Sequence, residues 1–134
     1  MTTIGRRTGR PQARVNGPDL TLALCAEAER RGIVVAFYGA SEQALARLRT
    51  SLAARFPRLA IGCMISPPYR PLTAAEQDAY LAEIGASGAG IVFVGLGCPK
   101  QEVWMAAQRG KVPAVMIGVG AAFDYIAGTV RRPP

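Results

Sequence analysis

The amino-acid sequence predicts an α/β fold, an open parallel sheet of about four strands with helices on both faces. Two observations support this prediction. Short segments that are apolar throughout alternate with segments whose apolar residues recur at helical spacing. Strands that are apolar on both faces are typical of a parallel sheet covered by helices on each side. The chain has 134 residues, of which 50% are hydrophobic, and this is enough for one domain with a buried core.

The first half of the chain gives two helices and a strand. A helix is predicted over about 18–31, where Gly32 ends it. The apolar run 33–38 follows as a strand and stops at Gly39. Ser41 is a candidate N-cap for the second helix. The apolar residues of that helix recur at helical spacing: Leu45, Leu48, Leu52 and Phe56.

The second half continues the alternation. Thr73 and Glu76 have the spacing of a capping box, so a helix should begin there and run to about residue 86. A turn-rich stretch, 66–71, precedes it. The remaining strands are predicted over 59–64, 91–94 and 114–117, and the remaining helix over about 100–108.

The positive charge is concentrated at the start of the chain. The formal net charge is +7, and the leading segment has no acidic residue but contains Arg6, Arg7, Arg10 and Arg14. We therefore predict a basic, flexible segment over 1–13 and one domain over 14–134. A solvated tail and attraction to a membrane surface or to phosphate both fit such a segment. Aromatic residues do not alternate with the arginines, so we expect no nucleic-acid partner.

Cysteine and histidine usage argues against metal and redox chemistry. Cys25, Cys63 and Cys98 are far apart and histidine is absent, so neither a zinc site nor a disulfide framework is expected. There is also no Asp-x-Asp pair to hold a divalent ion against a diphosphate. The sequence shows no signal peptide and no apolar segment long enough to span a bilayer. We expect a cytoplasmic protein, peripheral to the membrane at most, without cofactor or metal.

Three glycine-rich segments follow predicted strands, at the edge where open parallel sheets bind ligands. They begin at Gly39, Gly95 and Gly118. Glycine lets a backbone approach a phosphate, and a helix N-terminus behind it offers unpaired amides and a positive dipole. Ordinary strand-to-helix turns explain any single segment equally well, so it is their recurrence that favours a phosphorylated ligand. Lys100 replaces the third glycine of a dinucleotide fingerprint and no P-loop is present, so NAD or ATP binding has little support.

Polar residues follow two of these segments. Gln101 could hydrogen-bond a base or a sugar, and Glu102 could bond ribose hydroxyls or act as a base. An acid in the first turn of a helix is also favourable without a ligand. Asp124 could orient a sugar hydroxyl, but by itself it is better explained as a helix cap.

Four segments in order resemble one family. These are RVNGPDL (14–20), VGLGCPKQE (94–102), GVGAAFDYIAG (118–128) and VRRPP (130–134). Their order and spacing are similar to those of the WecG/TagA/CpsF glycosyltransferases, with Cys98 where alanine or serine is more usual. The resemblance implies a Rossmann-like domain that binds a UDP-sugar. With the glycine pattern, it gives these candidate donor-binding residues: Gly39, Gly95, Gly97, Pro99, Gln101, Glu102, Gly118, Gly120, Phe123, Asp124 and Gly128.

The family resemblance also implies a reaction. Its members transfer N-acetylmannosamine, its uronic acid or a hexose from UDP to a lipid-linked (polyprenyl diphosphate) acceptor. The transfer is inverting and needs no metal, and it takes place at the inner face of the membrane. It serves the synthesis of teichoic acid, exopolysaccharide or other cell-surface polysaccharides.

Two parts of the family pattern are absent from this sequence. Nothing upstream of Arg14 resembles the preceding half, whose Asp-Gly motif is thought to supply the base, and the C-terminal segment tied to membrane docking has no counterpart. We therefore expect the nucleotide-sugar half of such an enzyme. We also expect that it associates with itself or with a partner chain that supplies the missing half. The catalytic residue is unknown, with Asp124 and Glu102 as candidates. The alternative is a non-catalytic fragment that binds UDP or a UDP-sugar.

Overall fold

The computed structural model describes residues 17–68, 70–96, 100–112 and 114–128. Within these ranges helices and strands alternate in the order α1 (Gly17–Arg31), β1 (Val35–Gly39), α2 (Glu42–Arg55), β2 (Ile61–Ile65), α3 (Ala74–Ala86), β3 (Ile91–Gly95), α4 (Lys100–Ala107), β4 (Val115–Gly118) and α5 (Ala122–Ala127). The strands form one sheet in the order β2-β1-β3-β4, and every pair is parallel. The predicted α/β fold with an open parallel sheet is confirmed. The predicted basic segment 1–13 lies outside the described residues.

Helices cover both faces of the sheet. Successive side chains of each strand point to opposite faces, so apolar side chains on both faces have to be covered. On one face Phe37 and Phe93 stack with their ring centroids 5.2 Å apart, and α1, α2 and α5 pack over them. On the other face Tyr38 and Val92 pack against residues of α3 and α4. The central strand β1 is buried along its whole length, which explains its uninterrupted apolar sequence.

The turn between α1 and β1 shows why the first strand is shorter than predicted. Gly32 has a φ of 73°, and the Ile33 N–H donates to the Ala28 carbonyl over 2.9 Å. This is the bond of a Schellman motif, in which a left-handed glycine ends the helix and the next residue closes the turn. Ile33 is therefore part of the helix end, and β1 begins at Val35 and includes Gly39.

Both predicted helix caps are confirmed. Ser41 accepts a hydrogen bond from the Ala44 N–H at 3.0 Å and caps α2. Thr73 and Glu76 bond each other's backbone N–H groups, which completes the capping box of α3.

Strand β2 and helix α5 also depart from the prediction. Strand β2 runs over Ile61–Ile65 rather than 59–64, because the Leu59 N–H donates to the Phe56 carbonyl and so belongs to the turn after α2. Helix α5 is not predicted, since its six residues are too few to show helical spacing. Cys25 and Cys63 are buried free thiols, and Cys98 lies outside the described residues.

Candidate functional site

The sheet changes its direction of winding between β1 and β3. Helix α2 leaves the end of β1 on one face, with Leu48 in that core, whereas α4 follows β3 on the opposite face, with Trp104 in the other core. The chain segments that leave these neighbouring strands therefore diverge. In open α/β sheets this divergence leaves a crevice at the carboxyl ends of the strands, where ligands bind.

Glycines at this point are packed too tightly for any side chain. Gly39 and Gly95 are register partners at the ends of β1 and β3. A Cβ on Gly39 would lie 2.6 Å from the Gly95 carbonyl oxygen, and Gly39 has a φ of 126°. A Cβ on Gly95 would lie 2.7 Å from Phe123 Cε2 and 3.1 Å from the Gly120 oxygen. Four of the predicted site residues are thus brought together at the crevice.

The residue after Gly39 has an unfavourable backbone. Ala40 takes a φ of 66°, in the left-handed region that non-glycine residues rarely adopt. The Ser66 hydroxyl donates to the Ala40 carbonyl at 2.7 Å and ties this turn to the end of β2. Strained residues of this kind are concentrated at binding and catalytic sites.

A groove of about 700 Å³ opens next to the crevice, between α4 and the segment that leads into α3. Its walls are mostly apolar and include Tyr38, Pro68, Leu72, Leu96, Val103 and Trp104. Lys100, the first residue of α4, adds a positive charge where the helix dipole is also positive. Such a site can hold a ligand with one flat apolar part and one anionic part.

The other cation of the groove is already paired. Arg70 forms an ion pair with Glu76, at 2.5 Å between Nη2 and Oε2. This hydrogen bond, with that from the Thr73 N–H, lowers the pKa of Glu76 to about 2. The pair anchors the groove wall to the first turn of α3. Lys100, the second cation of the groove, forms no ion pair with a described residue.

Aromatic rings form the floor of the groove. Tyr38 stacks on Trp104, with 4.3 Å between ring centroids, and meets Tyr80 edge-on. Burial, followed by the charge on Tyr80, raises the pKa of Tyr38 to about 12, so its hydroxyl stays protonated at neutral pH. The Trp104 indole opposes this shift, but its N–H lies outside hydrogen-bonding geometry. Among the described residues, two buried polar side-chain atoms have no hydrogen-bond partner: Trp104 Nε1 and Gln108 Oε1.

Comparison with known proteins decides the family. The model of the glycosyl transferase WecG/TagA/CpsF family matches residues 1–134, the whole chain. The chain belongs to this family. A curated relative in Bacillus spizizenii, N-acetylglucosaminyldiphosphoundecaprenol N-acetyl-beta-D-mannosaminyltransferase, is 32% identical over 136 residues. The match covers 100% of this chain and 51% of the relative, so the chain spans about half the length of that protein.

Several residues of the WecG/TagA/CpsF signatures lie in the described helices or outside the described residues. Gly97 and Pro99 lie outside the described residues. The side chains of Gln101, Glu102 and Asp124 are also outside the described part of the structure. The backbones of Gln101 and Glu102 belong to the first turn of α4. Asp124 is the third residue of α5, so it does not take the position before the helix that an N-cap residue occupies.

The remaining signature residues lie around α5. Gly118 ends β4 and is the register partner of Val94. Gly120 turns the chain into α5, with its φ of 59°. Phe123 is buried and packs edge-on to Phe37, so it shapes the crevice from within the core. Gly128 follows the last residue of α5, one helix length away from the crevice.

The groove residues Tyr38, Trp104 and Gln108 were missed by the sequence reasoning. The only signal available was the spacing of Trp104 and Gln108, which places them on one side of a helix. Within the described ranges, no helix is long and apolar enough to cross a membrane, and no three acidic or cysteine side chains are grouped as metal ligands would be.

Proposed function

We propose that this chain forms the nucleotide-sugar-binding part of a WecG/TagA/CpsF glycosyltransferase. The transferred sugar would be N-acetylmannosamine and the acceptor a lipid-linked N-acetylglucosaminyl diphosphate, as the name of the Bacillus spizizenii relative gives for that protein. UDP as the carrier of the sugar follows from the family resemblance. The uronic acid of that sugar and a hexose are the other donors the family resemblance allows. The transfer would serve the synthesis of teichoic acid or another cell-surface polysaccharide.

The observation that carries the proposal is the crevice at Gly39 and Gly95, with the groove beside it. A diphosphate at the crevice would lie next to the start of α4, where Lys100 and unpaired helix amides favour negative charge. The flat, apolar part of the nucleotide would then extend along the groove over Leu96 and Trp104. This assigns each chemical part of the donor to a surface of matching character.

In this proposal the acceptor hydroxyl attacks the anomeric carbon of the donor, and the bond to the UDP oxygen breaks. Charge develops on the departing diphosphate, and preorganised amides with Lys100 stabilise it without a metal ion. Gln101 contacts the donor. The family resemblance implies that the base which takes the acceptor proton belongs to the preceding half, and within this chain only Glu102 and Asp124 could replace it.

A second candidate function is binding of UDP or a UDP-sugar without turnover. The observation that favours it is that no carboxylate, which could act as the base, is among the described residues lining the groove. Both candidates predict a donor site, and they differ in whether the chain accelerates transfer. Addition of a separately expressed preceding half of the relative would restore transfer only in the first case.

The proposal is tested by titrating the purified chain with UDP while backbone amide NMR signals are recorded, with and without magnesium. We expect shifts over 95–102 and 118–124 that do not depend on magnesium. A dispersed spectrum that UDP leaves unchanged would refute the proposed function. Shifts that require magnesium would refute the metal-independent design only.

A further inference from the structure

The groove contains two buried polar atoms that the fold leaves unsatisfied. Trp104 Nε1 and Gln108 Oε1 have no hydrogen-bond partner among the described residues, and their side chains are 9% and 3% exposed. A buried indole N–H or amide oxygen nearly always has a partner, and leaving one unpaired costs stability. Two such atoms in one groove therefore point to a group that binds there.

The two atoms are complementary, and the residues that carry them lie one helical turn apart. The Gln108 N–H donates to the Trp104 carbonyl at 3.0 Å, so Gln108 continues the last turn of α4 and lies on the same side as Trp104. An indole N–H only donates, and an amide oxygen only accepts. A ligand group that satisfies both must present an acceptor and a donor next to each other, as the carbonyl oxygen and N–H of an amide or imide do.

Two other polar side chains of the groove, those of Arg70 and Thr73, are engaged within the fold. Arg70 pairs with Glu76, and the Thr73 hydroxyl accepts from the Glu76 N–H. Lys100 is a point charge suited to an anion rather than to a neutral group. The unpartnered pair is thus the part of the groove best suited to read a neutral polar group.

We infer that Trp104 and Gln108 recognise an amide or imide group of the ligand and so determine its specificity. The inference rests on the proposed function, because a UDP-sugar can carry such a group in two places: the imide of uracil and the acetamido substituent of the sugar. Both atoms are closed to solvent, so binding requires a small rotation of the side chains. That rotation breaks no hydrogen bond of these two atoms to a described residue.

The test measures binding of UDP, UDP-glucose and UDP-N-acetylglucosamine by calorimetry to the whole chain and to three variants. Gln108→Leu removes the acceptor, and Trp104→Phe removes the donor while keeping a ring against Tyr38. Gln43→Leu is the control, since it makes the same change at an exposed glutamine of α2 that does not line the groove. We expect each of the first two variants to weaken binding about tenfold and the control to leave it unchanged.

The three ligands separate the two sources. Equal weakening for all three assigns the pair to UDP, in which uracil carries the only imide, and weakening confined to UDP-N-acetylglucosamine assigns it to the acetamido group; either result supports the inference. Gln108→Leu should also be as stable to urea as the wild type, because it removes an unsatisfied atom. A marked loss of stability would show a structural role and overturn the inference, as would wild-type affinity for all ligands. If the wild-type chain itself binds none of them, the proposed function fails first.

Discussion

Substitution of Gly95 by alanine tests the packing of the crevice. The new Cβ would lie 2.7 Å from Phe123 Cε2 and 3.1 Å from the Gly120 oxygen, and it would meet Cδ2 of the same ring at 2.8 Å. The ring cannot move away easily, because Phe123 is 1% exposed and packs against Phe37 at a centroid distance of 5.4 Å. One contact is therefore with a rigid buried ring and the other with the backbone.

Two opposing effects set the size of the loss. Overpacking of a well-packed core costs about 1–3 kcal/mol. Replacement of a strand glycine by alanine gains roughly 0.5–1 kcal/mol from the reduced freedom of the unfolded chain. The clash should win, and we expect Gly95→Ala to lower the free energy of unfolding by about 1–2 kcal/mol. Urea unfolding followed by the fluorescence of Trp104, the single tryptophan, measures it.

A double-mutant cycle identifies the cause of the loss. Phe123→Leu removes Cε2 and provides a side chain that can turn aside, so Gly95→Ala should cost at least about 1 kcal/mol less in that background. Gly85→Ala is the control, because a Cβ there meets nothing within 4 Å and alanine favours the helix α3. Equal costs of Gly95→Ala in both backgrounds would refute the proposed clash, and so would a variant as stable as the wild type.

Three further predictions concern strain, burial and charge. Ala40→Gly should raise the free energy of unfolding by about 1 kcal/mol, since it relieves the left-handed φ of 66°; a destabilised variant in urea would contradict this. Burial raises the pKa of the Cys25 thiol to about 12, so mass spectrometry should find it unalkylated at pH 8 in the folded chain and alkylated in urea. Alkylation at equal rates in both states would contradict it. The pKa of Glu76 falls from 4.5 to about 2 on folding, so its stabilising charge acts above pH 4.5 and is lost as the pH approaches 2. The stability difference between wild type and Glu76→Gln, which keeps the capping box, should shrink over that range, and a pH-independent difference would count against the ion pair with Arg70.

Local signals predicted the elements of the fold well. Ser41 and Thr73 mark helix starts because a short side-chain oxygen at that position satisfies an amide that the helix leaves unpaired. Strand limits were less certain, since an apolar residue such as Ile33 or Leu59 fits a strand and a turn equally well. Only the hydrogen bonds of the folded chain separate the two.

The candidate site was predictable in part. Parallel strands bring Gly39 and Gly95 to one edge whatever the details of packing, so their proximity follows from the fold class. The groove could not be predicted in the same way. Tyr38 and Trp104 are 66 positions apart, and their stacking depends on which face α4 covers.

The glycines of the crevice have a structural reason that is independent of any ligand, and this decides which residues carry the functional argument. Gly95 leaves no room for a Cβ, and Gly120 takes a left-handed turn into α5, so the fold would require both without a substrate. Trp104 and Gln108 differ, because the fold gains nothing from burying their unpaired atoms. A residue that costs stability and lines a groove is stronger evidence for binding than one that packing already explains. The glycines explain the shape of the crevice, and the unsatisfied pair at the end of α4 supports the proposed recognition of an amide or imide.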